Sequence, residues 1–120
     1  MAGLLICDDA LFVRGALSKI VTEDGHRVLA EASDGEEAIR LYKAYKPDLV
    51  MMDITMPDMD GIQATRKIIA FDPNAKIIMV SAMGQMEKVV EAITAGATDF
   101  IVKPFDEEHV KECIKKYSPS

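Results

Sequence analysis

Five polar side chains in this 120-residue sequence each stand directly after a short apolar run. The acidic pair Asp8 and Asp9 follows the first run, Asp53 the third, Ser81 the fourth and Lys103 the fifth. Ionised carboxylates are costly to bury unless a cation pairs with them, so an acid that ends an interior segment needs a partner. Carboxylates gathered with an ammonium and a hydroxyl would suit phosphoryl transfer, because a metal and a lysine can neutralise the transferring group while one aspartate attacks it.

The apolar runs alternate with longer segments of helical period. The runs cover residues 4–7, 28–32, 49–52, 77–80 and 100–102, and most are continuous, which is typical of strands covered on both faces. The segments between them carry apolar stripes within residues 13–20, 38–45, 62–69, 89–97 and 110–117, with Tyr45, Val90 and Ile93 among the expected buried members. The alternation predicts an α/β fold of five βα units around a parallel sheet, in one domain spanning residues 1–120.

Turn and cap residues agree with these boundaries. Gly25 and Gly96 fall just past the first and fourth predicted helices, where a left-handed residue is needed. The segment 33–36 is typical of a capping box that opens the second helix, and Asp106 is expected to open the last one.

Parallel strands bring their carboxyl ends to one edge of a sheet, and ligands of open α/β sheets bind beyond that edge. We therefore expect the five polar residues to meet there. A site with two or three carboxylates and room for water suits Mg²⁺ better than a full Ca²⁺ cage. Singly, each residue has a structural explanation: Asp8 and Asp9 could cap a helix, Lys103 could be a solvated charge, and Asp53 could begin a turn. Their coincidence at strand ends is what favours a functional site.

Composition excludes several classes of partner. The formal net charge of −6 argues against a phosphate-backbone partner such as nucleic acid and against an anionic membrane surface. No apolar run approaches the roughly 20 residues that a bilayer span needs, and the N-terminus does not resemble a signal peptide. Cys7 and Cys113 are expected to be buried free thiols, which fits a reducing cytoplasm.

At these residues the sequence resembles the receiver domain of two-component response regulators, and within that family the single-domain chemotaxis (CheY-like) type. The resemblance covers essentially the whole chain, and the segments that carry it are DDALFVR (8–14), DITMPDMDG (53–61), SAMG (81–84) and VKPF (102–105). It implies a flavodoxin-like (βα)5 doubly wound fold with strand order 2-1-3-4-5.

The resemblance also implies a role for each acidic residue. Asp53 would be the phospho-acceptor and would take the phosphoryl group from a phosphohistidine on a histidine kinase. Asp9 and Asp53 would bind Mg²⁺ through their side chains, Thr55 through its backbone carbonyl, and Asp8 through water.

Further roles follow from the same likeness. Lys103 would contact the phosphoryl group, Ser81 would hydrogen-bond it after transfer, and Phe100 would turn inward as Ser81 shifts. The Lys103–Pro104 peptide bond would be cis, and Gly61 would be a structural position. The output would be a changed surface on the fourth helix, fifth strand and fifth helix, carrying residues Glu87, Lys88, Glu91 and Lys111.

The implied setting is a cytoplasmic signalling protein with a downstream target, for which the flagellar motor switch is a candidate, and a phosphatase. Its own chemistry would be limited to self-phosphorylation and slow self-dephosphorylation. Phe100 stands where chemotaxis receivers often carry tyrosine, and Ser81 where threonine is also common. Both departures bear on how strongly phosphorylation is coupled to output.

Other hypotheses remain open at this stage. The chain could be a stand-alone phosphorelay protein or a receiver fragment of a larger regulator, although its end after the fifth helix suggests that no DNA-binding unit follows. An aspartate-nucleophile phosphatase usually has a second carboxylate two residues after the nucleophile. This chain has Thr55 at that position, which counts against the hypothesis. In a flavodoxin-like FMN-binding protein, Asp8 and Asp9 would lie where the phosphate of FMN binds and would repel it. A receiver-like scaffold that is never phosphorylated is disfavoured by the intact set of five polar residues.

Overall fold

A computed structural model describes residues 1–119 and shows, within them, five strands that alternate with five helices. The strands are β1 Gly3–Cys7, β2 Arg27–Ala32, β3 Leu49–Asp53, β4 Ile77–Ser81 and β5 Asp99–Val102. The helices are α1 Leu11–Glu23, α2 Gly35–Tyr45, α3 Gly61–Phe71, α4 Met86–Thr94 and α5 Glu107–Tyr117. The predicted alternating α/β pattern is therefore confirmed.

The strands form one parallel sheet in the order β2-β1-β3-β4-β5, which confirms the order that the resemblance implied. Side chains of β1 alternate between the two faces: Leu5 and Cys7 join a core with α2, α3 and α4, while Leu4 and Ile6 join a second core with α1 and α5. The sheet is thus covered on both faces and leaves its carboxyl edge free to hold a site.

Position in the sheet explains the character of each apolar run. Every residue of β1, β3 and β4 is buried, because these strands have a neighbour on each side and helices on both faces. The edge strand β2 is buried at Ala32 alone, and Glu31, the residue before it, is exposed. The other edge strand, β5, is buried at Ile101 alone. The prediction of continuously buried strands therefore holds for the centre of the sheet and fails at both edges.

The N-terminal cap of α2 lies one residue later than predicted. Asp34 is the N-cap and accepts a hydrogen bond from the Glu37 amide at 2.8 Å, while the Glu37 carboxylate accepts one from the Ser33 amide at 2.8 Å. The reciprocal pair thus involves Glu37, and the predicted box over residues 33–36 was wrong. Asp106 caps α5 as predicted, by accepting from the His109 amide.

Three predicted core residues are exposed instead. Tyr45, Val90 and Ile93 have exposed fractions of 51%, 59% and 41%. In α4 the buried pair is Val89 and Ala92, so this short helix covers the sheet with a narrower face than its apolar composition suggests. The outer side of α4 is consequently apolar and open.

Other sequence predictions agree with the structure. Gly25 and Gly96 have φ angles of +84° and +116° after α1 and α4, as expected of left-handed C-terminal residues. Cys7 and Cys113 are buried free thiols.

Within residues 1–119, no helix has the length and apolar character that crossing a bilayer requires.

Candidate functional site

The carboxyl ends of four strands deliver polar side chains to one place. Asp53 and Ser81 are the last residues of β3 and β4, Asp8 follows β1 directly, and Lys103 follows β5 directly. One carboxylate oxygen from each of Asp8, Asp9 and Asp53 lies within 4.8 Å of the other two. The convergence predicted from the strand ends is therefore observed for these three carboxylates.

Lys103 bridges two of the three acids. Its Nζ lies 3.0 Å from Asp8 Oδ2 and 3.3 Å from Asp53 Oδ1. Asp8 is almost completely buried, whereas the lysine side chain keeps 26% of its surface exposed. The resemblance implied only a contact between Lys103 and the phosphoryl group, but in the structure the ammonium binds both carboxylates. The ammonium lies closer to Asp8, the more deeply buried of the two carboxylates.

Asp53 remains electrostatically strained despite this bridge. Burial, helped by the nearby negative charge of Asp8, raises the pKa of Asp53 from 3.8 to about 6, although Lys103 opposes the change. Burial alone would lower the pKa of Lys103, but its hydrogen bond to Asp8 and the charge of Asp53 raise it above its ordinary value. At neutral pH the site therefore holds an ionised Asp53 beside a charged Lys103.

Asp8 and Asp9 are not the N-cap of α1, so that alternative interpretation was wrong. The N-cap is Ala10, whose side chain makes no cap hydrogen bond, and the Ala10 amide donates to Asp8 Oδ1 at 2.9 Å. Asp9 is exposed, and its carboxylate makes no hydrogen bond or ion pair within residues 1–119. Its oxygens are free to bind something from solution.

Arg14 belongs to the site although its position in the sequence predicted no role for it. Its Nη1 donates to the backbone carbonyl of Asp8 at 2.6 Å, and its Nε donates to Glu31 Oε1 at 3.0 Å. The arginine thus ties the segment that carries Asp8 and Asp9 to β2. The available signal was a cation at the end of the DDALFVR segment, less than two turns into α1.

We expect Arg14→Ala to weaken Mg²⁺ binding by about tenfold, the lower end of the range for groups that orient metal ligands. Removing a positive charge would by itself favour a cation, so a weaker affinity isolates the positioning effect. Isothermal titration calorimetry with Mg²⁺ measures it, with Arg66→Ala as the control, because Arg66 pairs with Glu91 on the surface. Equal or tighter binding by Arg14→Ala would contradict the positioning role.

The segment from Asp53 to Gly61 passes very close to itself. The Gly61 amide donates to the carbonyl oxygen of Ile54 at 2.7 Å, and a Cβ atom at Gly61 would overlap the carbonyl oxygen of Asp53. A side chain is excluded there, because any substituent would push α3 away from the end of β3. Gly61 therefore fixes the backbone that carries Asp53.

The remaining predicted site residues lie around this centre. Thr55 is exposed two residues after Asp53, and Ser81 is buried. The Ser81 carbonyl accepts from the Lys103 amide at 2.7 Å, which couples the ends of β4 and β5. Phe100 is partly buried against the core beneath α3 and α4, and the Lys103–Pro104 peptide bond is cis.

The four charged residues expected on the output surface do not share one environment. Glu87 and Lys88 are exposed on α4. Glu91 lies 3.5 Å from Arg66 of α3, whereas Lys111 lines a cavity of about 500 Å³ together with Asp24 and His26 near α1. Lys111 therefore faces the α1 side of α5, away from α4.

The donor set fits a hard divalent cation. Three carboxylates converge, one of them exposed, and the set contains no sulfur or imidazole ligand. Such oxygen ligands with an open side leave room for water, which Mg²⁺ retains in most protein sites. The geometry supports a cation beside Asp53, with Lys103 on the other flank.

A family model described as "Response regulator receiver domain" matches residues 4–115 of the chain. Among curated relatives, the "Chemotaxis protein CheY" of Thermotoga maritima is 56% identical over 115 residues, covering 96% of each chain. The protein of the same name in Bacillus subtilis is 53% identical over 113 residues, covering 94% of each.

Solved structures show the same fold. The chain is similar to a protein chain in the "CheX-CheY-BeF3-Mg+2 complex" of Borrelia burgdorferi, with a TM-score of 0.91 and 40% sequence identity. The match covers 98% of this chain and 90% of the Borrelia chain. It also matches the response regulator domain of Thermotoga maritima CheB with a TM-score of 0.84 and 34% identity, over 96% and 92% of the two chains.

Proposed function

The chain belongs to the response regulator receiver family, and from this premise we propose that Asp53 is the phosphoryl acceptor of a chemotaxis signalling switch. One observation carries the proposal. Asp53, the last residue of β3, lies 3.3 Å from Lys103 Nζ and shares its site with two further carboxylates. Asp8 has the same neighbours, but both of its oxygens already accept hydrogen bonds, Oδ1 from the Ala10 amide and Oδ2 from Lys103. Asp53 Oδ2, by contrast, has no hydrogen-bond partner within residues 1–119.

The transfer step needs an ionised oxygen in reach of phosphorus. Because the pKa of Asp53 is about 6, its carboxylate is ionised at neutral pH and can attack. An Asp53 oxygen forms the new P–O bond, and the P–N bond of the donor phosphohistidine breaks with its electron pair leaving on the imidazole nitrogen. The Lys103 ammonium stabilises the negative charge that the phosphoryl oxygens carry.

The acidic residues supply the second half of the electrostatics. Asp9 and Asp53 would hold Mg²⁺ by their side chains, Thr55 by its backbone carbonyl and Asp8 through water. When bound, the cation neutralises phosphoryl oxygens and relieves repulsion among the carboxylates. The exposed carboxylate of Asp9, which has no partner within residues 1–119, supports this assignment.

The output follows from the added charge. A phosphoryl group on Asp53 brings three strong acceptor oxygens beside Ser81 and Lys103. A hydrogen bond from the Ser81 hydroxyl would draw the start of the β4–α4 loop inward, and Phe100 would follow into the space that opens. The surface of α4, β5 and α5 changes as a result, and it carries the exposed Val90 and Ile93.

The partners follow from the family and its relatives. A histidine kinase is the phosphodonor, and a target protein such as the flagellar motor switch recognises the changed surface. Because the Borrelia relative was solved in complex with CheX, a protein of that kind is a further candidate partner. A phosphatase that removes the phosphoryl group is a separate expected partner. Family membership and the free thiols of Cys7 and Cys113 support a cytoplasmic location. The chain's own chemistry is self-phosphorylation and slow self-dephosphorylation.

Incubation with acetyl phosphate and Mg²⁺ tests the assignment. We expect intact-mass spectrometry to show one added phosphoryl group, and peptide mapping to place it on Asp53. Chelation of Mg²⁺ should suppress the modification. A group found on another acid, or none under conditions that label another receiver, would overturn the proposal. Release of phosphate from unrelated phosphoesters would favour a phosphatase instead.

A further inference from the structure

The side chain of Gln85 joins the two loops that follow β3 and β4. Its Oε1 accepts a hydrogen bond from the Ala82 amide at 2.7 Å, and its Nε2 donates to Thr55 Oγ1 at 3.2 Å. Ala82 follows Ser81 directly, and Thr55 lies two residues after Asp53. One amide group therefore connects the loop after β3 with the loop after β4.

The loop after β4 has little else to hold it. Ala82, Met83 and Gly84 are all exposed, and Gly84 has a φ angle of +84°. Within residues 1–119, the hydrogen bonds of residues 82–84 all involve Gln85. The position of this loop thus depends on one side chain, which sits at the start of α4.

We propose that Gln85 is a latch that holds the β4–α4 loop in its unphosphorylated arrangement and opposes the switch. Ser81 and Ala82 share a peptide unit, so moving Ser81 towards a phosphoryl group on Asp53 carries the Ala82 N–H away from Gln85 Oε1. Contacts made in one state and lost in the other stabilise the first. The inference rests on the proposed phosphorylation of Asp53 and adds a positioning residue that sets how easily the switch responds.

The size of the effect follows from ordinary hydrogen bonds. A neutral intramolecular hydrogen bond contributes a net stabilisation that corresponds to roughly a two- to tenfold change in an equilibrium constant. Removing the Gln85 amide should therefore shift the equilibrium towards the switched loop by roughly that factor. Tighter binding of a phosphoryl mimic should follow, because less of its binding energy is used to displace the latch.

Beryllofluoride with saturating Mg²⁺ is the probe, titrated into the full chain and followed by fluorine NMR. For Gln85→Ala we expect half-saturation at a concentration about two- to tenfold lower than for the unaltered protein. Gln63→Ala is the matched control, since Gln63 is an exposed glutamine on α3, and it should leave the titration unchanged. Affinity of Gln85→Ala equal to or weaker than that of the unaltered protein would overturn the latch.

A second variant tests the mechanism at the other anchor. Thr55→Val removes the hydroxyl that accepts from Gln85 and leaves the backbone carbonyl in place. Its effect should be smaller than that of Gln85→Ala, and the two should not add in the double variant because they break one bridge. Amide hydrogen exchange should show Ala82 protected in the unaltered protein and unprotected in Gln85→Ala.

The outcomes separate the two proposals. Additive effects, or an Ala82 amide that exchanges equally in both proteins, would exclude the latch while leaving phosphorylation of Asp53 intact. Failure of the unaltered protein to bind beryllofluoride with Mg²⁺ would overturn the proposed function itself, and the latch with it.

Discussion

Replacing Asp53 with asparagine is expected to abolish phosphoryl acceptance and to stabilise the metal-free protein. The amide has no nucleophilic carboxylate oxygen, so labelling by acetyl phosphate should be lost completely. It also carries no charge, so the repulsion from Asp8 and the burial of an ionised group both disappear. With the pKa of Asp53 raised to about 6, its ionisation costs the folded state on the order of 2 kcal/mol at neutral pH once solvent at the open side is allowed for.

The same shift predicts a pH dependence with a definite sign. In the unfolded chain Asp53 titrates near its ordinary pKa of 3.8, whereas in the folded protein it titrates near about 6. Between these values the folded protein binds more protons than the unfolded chain, so stability falls as pH rises through this window and then becomes level. Asp53→Asn should remove this decline, because the group that titrates is gone.

Thermal unfolding with a chelator present, repeated from roughly pH 3.5 to 7.5 so that the series spans both pKa values, measures the effect. We expect a melting temperature several degrees higher for Asp53→Asn at neutral pH, since about 1 kcal/mol moves the midpoint of a domain this size by roughly 3–5 °C. Glu112→Gln is the control: it neutralises an exposed acid on α5. An Asp53→Asn protein no more stable than the control would show that the carboxylates do not repel strongly.

Much of the site could be predicted because its residues occupy strand ends. The central strands are buried on both faces, so their apolar runs are unambiguous and the polar residues that end them stand out. Strand order was different: alternation alone leaves several orders open, and the order came from the resemblance to receivers. The apolar runs therefore predicted that Asp53 and Ser81 each end a strand. That these two strands are neighbours was predicted only by the resemblance to receivers.

The features that were missed depend on contacts that residue types do not show. Arg14 binds the backbone carbonyl of Asp8, and Gln85 binds the backbone N–H of Ala82, so neither has a recognisable partner in the sequence. The outward side of α4 was missed for another reason. Val90 and Ile93 fit a helical apolar stripe, but in α4 only Val89 and Ala92 are buried. Tertiary packing decided which apolar residues were covered.

Replacing Lys103 with methionine should have the opposite effect on stability to Asp53→Asn. Methionine keeps an unbranched apolar stem and removes the ammonium that bridges Asp8 and Asp53. Two buried carboxylates would then face each other without a cation, and the metal-free protein should lose about 2–3 kcal/mol of stability at neutral pH. The loss falls short of a fully buried pair because a quarter of the Lys103 side chain is solvated.

Mg²⁺ should restore part of this stability, because a cation bound by the acids replaces the missing charge. Thermal melts of Lys103→Met with chelator and with Mg²⁺ measure the recovery, and Lys88→Met is the control for a lysine that is exposed on α4. The pKa of Asp53 should also rise above its value in the unaltered protein, since Lys103 is the group that lowers it. A destabilisation that Mg²⁺ leaves unchanged would indicate lost packing instead of lost charge.

A double-mutant cycle separates these two causes. If repulsion between Asp8 and Asp53 is what Lys103 relieves, then Asp53→Asn should stabilise the Lys103→Met protein by more than it stabilises the unaltered one, because the repulsion is larger without the ammonium. A coupling of about 1 kcal/mol or more is expected for charges in direct contact. Purely additive effects would mean that Lys103 and Asp53 act independently. The 3.3 Å contact between their charges would then not be the reason that a carboxylate is tolerated at the buried end of β3.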